Sequence, residues 1–187
     1  MAYGFYNKAL APDVLPHPPI SLAVFLVVEE AVCVAWDLLR RCPIHDFDFQ
    51  NATEDEITTF LYEILYNQVF DKDIVDGFDR QMFTTITREA KVTSYNLAHL
   101  DKMPDLVVGL VGRAGVYKAS QDWIFIECKP VDVKHSVGSH YCDKGIIRFV
   151  CGEYAWALRE ALMIGYARKG YDLPIRLTKA LACNATM

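Results

Sequence analysis

The stretch DWIFIECKPV, residues 122–131, begins as an apolar strand and ends as something else. Trp123, Ile124, Phe125 and Ile126 are the residues a half-buried β-strand favours. Glu127 and Lys129 follow, and Pro130 closes the run. Side chains alternate faces along a strand, so Glu127 and Lys129 project from one side and Cys128 from the other. A strand with that ending is either solvated at its end, with an ordinary ion pair, or built to hold something.

The preceding β-like run decides between these. Pro104 to Val111 is rich in Leu and Val, and Asp105 opens it, 22 residues before Glu127. If the two runs pair antiparallel, the start of one lies beside the end of the other. A tight turn at Arg113-Ala114 would set Asp105 near Asp122. A wider connection, centred near residues 116–117, would set it beside Glu127 and Lys129. In the second register two carboxylates converge next to an ammonium, the donor set of a hard-cation site. Mg²⁺ prefers oxygen ligands and keeps several waters, which Asp105, Glu127 and the Cys128 backbone carbonyl accommodate. Such an ion polarises a phosphate oxygen and activates water, so attack on a phosphodiester is the chemistry to expect.

Composition sets the frame for this site. The chain has 187 residues, 52% hydrophobic and 23% charged, which fits one globular domain over residues 1–187. The longest apolar run, Ile20 to Val28, stops at Glu29-Glu30, well short of the roughly 20 residues a bilayer span needs. With no basic signal-like start, a soluble, cytoplasmic protein is expected, without membrane partners. Six cysteines without a CxxC pair fit reduced thiols. Cys128, His135, His140 and Cys142 match no standard zinc spacing. The net charge of −5 is unevenly distributed. Residues 1–111 carry 8 Lys and Arg against 17 Asp and Glu, and residues 112–187 carry 11 against 7. A polyanion would meet the second part more readily.

Along the chain, Pro12, Pro16, Pro18 and Pro19 make residues 1–20 an extended lead-in. A buried helix is expected from the Ser21 N-cap to about Arg41, stopped before Pro43. Thr53 and Glu56 form a capping box for a second helix, with Ile57, Phe60, Leu61, Ile64 and Leu65 as its apolar stripe. Residues 71–80 read as an acidic connection, and residues 82–100 contain at least part of a strand. A long helix is expected from Asp143 to Lys169, and a last strand around Pro174 to Leu177. Helix, strands, long helix and strand suggest a mixed sheet covered by helices.

Pro104-Asp105 followed by Glu127-Cys128-Lys129 on a strand hairpin, with a helix after the lysine, resembles the PD-(D/E)XK nuclease superfamily. The resemblance covers about residues 53–170. It implies a three-layer α/β/α, restriction-endonuclease-like core with a mixed four- to five-stranded sheet flanked by helices. It also implies a Mg²⁺- or Mn²⁺-dependent nuclease that hydrolyses phosphodiester bonds, most often of DNA, with RNA as the alternative substrate. Asp105 and Glu127 would then be metal ligands and Lys129 the catalytic lysine. The family often adds a glutamate from the helix before the sheet. Glu56 is the best match, although the capping box already employs it, and Glu63 is the second choice. On the following helix Lys144 and Arg148 would contact phosphate, while His135 and His140 are loop residues that either bear no role or touch phosphate. No zinc finger or helix-turn-helix motif supplies target specificity, so a homodimer, or a regulatory, immunity or targeting protein, is an expected partner. The competing expectation is a nuclease-like fold that binds nucleic acid or protein without cutting.

Overall fold

The Ser21 hydroxyl accepts the Val24 backbone N–H and starts helix α1, Leu22–Arg41, at the end of the proline-rich lead-in. The coordinates are a computed structural model that describes residues 17–42, 47–93, 100–116, 122–150, 160–168 and 170–184, with the side chains of 183 and 184 excepted. Helix α2, Glu54–Ile64, carries the complete capping box. Thr53 Oγ1 accepts from the Glu56 N–H, and Glu56 Oε2 accepts from the Thr53 N–H at 2.7 Å. Its last turns, Leu65–Phe70, wind as π-helix. Residues 71–80 form the turn-rich connection their composition suggests.

The sheet has four strands in the order β1-β2-β3-β4: Phe83–Arg88, Leu106–Leu110, Trp123–Val131 and Leu162–Ala167. β1, β2 and β3 are antiparallel neighbours, and β4 is parallel to β3, so the sheet is mixed. Leu106, Val108, Leu110, Ile124, Ile126 and Cys128 share one face and join the principal core with α1 and α2. Val107 and Phe125 point the other way and meet Phe149. The connection from β3 to β4 contains helix α3, π-helical over Val137–Ile146 and α-helical over Ile147–Val150. Helix α4, Leu173–Asn184, packs Leu173, Leu177 and Ala180 on Val131, Val137, Tyr141 and Cys142.

Three expectations need correction. The helix expected over 143–169 does not continue to its end, because residues 162–167 are strand β4. Leu, Met and Ala there have helix propensity, but the open edge of β3 offers a parallel ladder, and tertiary pairing outweighs that weak preference. Residues 151–159, with Tyr154, Leu158 and Arg159, lie outside the described residues. The strand expected at 174–177 is helix α4 instead. Asp172 Oδ1 accepts the Ile175 N–H, and Pro174 sits in the first turn, where no intrahelical donor is required. Finally, Pro130 does not end β3. Pairing with β2 stops at Ile126, so among the described residues Pro130 faces no partner strand on that edge.

Candidate functional site

The register of β2 and β3 builds the site. Leu106 pairs with Ile126 and Gly109 with Trp123. The next step of that ladder sets Asp105 beside Glu127, the arrangement that requires the wide connection. Asp105 Oδ2 accepts the Cys128 backbone N–H at 2.6 Å, which locks its carboxylate to the end of β3. Asp122, the alternative neighbour, is occupied elsewhere: it is buried, holds Arg113 through both oxygens and lies 3.3 Å from His17 Nδ1.

Lys129 is the centre of the cluster. Its Nζ lies 2.6 Å from Glu54 Oε1, 2.8 Å from Glu127 Oε1 and 3.5 Å from Asp105 Oδ2, and donates to the Cys128 carbonyl at 2.8 Å. Glu127 is fully buried and also receives Arg148 at 2.8 Å. Burial alone would push the Lys129 ammonium toward its neutral form. The Asp105 charge and the hydrogen bond and charge of Glu127 outweigh that, so its pKa stands above the ordinary lysine value. On the opposite face Cys128 is wholly buried, and burial holds its thiol protonated far above the usual range. It contributes a carbonyl oxygen, not a thiolate.

The structure brings Asp105, Glu127, Lys129, the Cys128 carbonyl and Arg148 together. Glu56 stays at the helix cap, where bonds from Thr53 lower its pKa. The glutamate that reaches the cluster is Glu54, the first residue of the same helix. Glu63 accepts from Asn67 on its own helix. Lys144 lines a cavity of about 550 Å³ beside the cluster, together with Glu54, Lys129, Arg148, His135, His140 and Arg168. Arg168, at the end of β4, bridges Asp132 and the Ala52 carbonyl. The helix expected through residue 169 concealed it.

Compared with protein-family models, with curated proteins and with solved structures, the chain matches none. The site therefore stands on its own geometry. Among the described residues no group of three or more His, Cys, Asp or Glu side chains forms a ready metal cage. The oxygens surround a cation already, the Lys129 ammonium. Among the described residues three carboxylates face two cations, Lys129 and Arg148, so one negative charge is left over. Oxygen donors with surplus negative charge suit a hard divalent ion if the ammonium withdraws. No helix among the described residues is long and apolar enough to cross a membrane.

Proposed function

We propose that this chain is a metal-dependent nuclease of the restriction-endonuclease-like, three-layer kind, hydrolysing phosphodiester bonds of DNA with Mg²⁺ or Mn²⁺. The observation that carries the reading is the convergence of Asp105, Glu127 and Glu54 on Lys129, at the mouth of a cavity lined by further cationic side chains. Asp105, Glu127, Glu54 and the Cys128 carbonyl would hold the ion, which supplies Lewis acidity at a phosphate oxygen. Lys129, displaced from its carboxylates, would hold the attacking water and offset charge in the transition state. Arg148, which already reaches Glu127 in the cluster, would bind a non-bridging oxygen of the phosphate at the carboxylates. Arg148, 2.8 Å from buried Glu127, would keep that carboxylate oriented when Lys129 withdraws.

The test is cleavage of circular and linear DNA, and of RNA, with and without Mg²⁺ or Mn²⁺. Wild type is expected to cut only with metal, and Asp105→Ala and Lys129→Ala to lose at least a hundredfold in rate. Folded wild type that binds the ion and cuts neither polymer would overturn the reading in favour of a binding protein. Nicking of the circle would mark an endonuclease.

A further inference from the structure

The cavity has two unlike ends. One is the carboxylate cluster around Lys129. The other is built by the loop after β3 and the start of α3. There Asp132 Oδ1 holds His135 Nδ1 at 2.9 Å and accepts the backbone N–H groups of Lys134 and His135, while its Oδ2 binds Arg168 at 3.1 Å. Burial works against ionisation of Asp132, and these hydrogen bonds override it, leaving its pKa below the ordinary value. The carboxylate is thereby fully committed to holding the loop. The His140 ring stands edge-on to His135 with centroids 5.0 Å apart, and Ser139 Oγ lies 3.0 Å from its Nδ1. Among the described residues Lys144 has no ion-pair partner, and it lines the same space.

We propose that His135, His140 and Lys144 form a second phosphate subsite, which takes a phosphate one nucleotide away from the phosphate at the carboxylates. As a neighbouring position on a strand, this rests on the nuclease reading; as an anion site, it does not. The cavity's volume of about 550 Å³ has room for a nucleotide with its phosphates. The side chains supply the charge, since the capping box already satisfies N–H groups at the start of α2. Groups facing His140 come from three elements: Lys144 on α3, His135 and Asp132 on the loop, and Glu54 on α2. Burial, then Lys144 and His135, lower its pKa against the pull of Asp132 and Glu54, and a bound phosphate would add a pull in the raising direction.

The experiment follows the histidine ring resonances by NMR in EDTA, titrating inorganic phosphate and then thymidine 3′,5′-bisphosphate. Saturable shifts of His135 and His140 are expected, with the His140 titration moving to higher pH. In EDTA the surplus negative charge of the carboxylates opposes the second phosphate, so the bisphosphate should bind about as tightly as phosphate, and at least about tenfold tighter once Ca²⁺ is added. His140→Gln and Lys144→Gln should each weaken binding at least about fivefold, whereas Lys91→Gln, the same charge change on an exposed lysine, should not. Shifts reproduced by sodium chloride at equal ionic strength, or equal weakening by Lys91→Gln, would overturn the proposal, and a bisphosphate that Ca²⁺ does not tighten would overturn its placement one nucleotide from the carboxylates. A wild type that binds phosphate this way but cuts nothing in Mg²⁺ sinks the nuclease reading and leaves the anion site. One that cuts and shows no saturable shift sinks the subsite alone.

Discussion

Replacing Lys129 by methionine removes the cation from the centre of the cluster while keeping most of its volume. Each contact at 2.8 Å is worth about 6 kcal/mol gross at an effective dielectric constant of about 20. Desolvation of the pair cancels much of that gain, and breaking a buried pair costs about 3–5 kcal/mol net. Arg148 stays on Glu127, and the Glu54 and Asp105 side chains are 32% and 23% exposed, so water screens part of the released repulsion. The expected loss in EDTA is therefore about 3 kcal/mol, at the low end of the range for a broken buried pair. If Mg²⁺ and the ammonium compete for the same oxygens, Mg²⁺ should restore the variant. At a hundred times its Kd the ion returns about 2.7 kcal/mol. Wild type should gain less, because its own ammonium must first be displaced. Urea unfolding of both proteins, with EDTA and with Mg²⁺, measures all four values. A loss below about 1 kcal/mol would mean that the cluster is solvated. Equal stabilisation of wild type and variant by Mg²⁺ would refute the shared site.

Glu54→Gln should lower metal-dependent cleavage at least tenfold, while Glu56→Gln leaves it unchanged and only weakens the start of α2; rates and urea midpoints on the two variants separate these roles. Gly165→Ala should cost about 1–3 kcal/mol by urea unfolding, since a Cβ there meets Leu173 and comes within 3.2 Å of Tyr141 Cε2, both inside the packing of α4 on α3. His17 makes stability depend on pH. Burial holds its pKa below the ordinary 6.5, against the pull of Asp122, so the unfolded chain binds the extra proton first. That contribution is complete above about pH 6.5 and is lost as pH falls below it, at no more than about 1.4 kcal/mol per pH unit for one proton. Unfolding between pH 7.5 and 5 should show the slope in wild type and lose it in His17→Gln.

Local signals were reliable where the decisive partner was near in sequence. The Ser21 cap, the Thr53–Glu56 box and the apolar, β-favouring run in 122–131 each involve neighbours a few residues apart, and the elements form where these signals put them. They failed for β4 and α4. Residues 162–167 are strand because β3 presents an open edge to them from more than thirty residues away. Asp172-Leu173-Pro174 did carry a helix-start signature, an Asp cap followed by a first-turn proline, which could have been read from the chain.

The candidate site divides in the same way. Asp105, Glu127 and Lys129 were legible because strand alternation fixes the side on which Glu127 and Lys129 stand, and an antiparallel hairpin allows only a few places for Asp105. Which place it takes depends on the connection between the strands, and the structure sets it by the pairing of Leu106 with Ile126. The choice of Glu54 over Glu56 depends on how α2 is rotated and placed against β3. Two residues on one turn differ by most of a half-turn around the axis, and only packing of Ile57 and Leu61 into the core selects which one faces the lysine. The cavity is further still from the sequence. His135, His140, Lys144 and Arg168 come to one space only because β4 returns parallel to β3 and α3 crosses between them. By itself the sequence determined the chemistry at the end of one strand; the tertiary structure decided which distant charges surround it, because those contacts exist only after the chain has closed on itself.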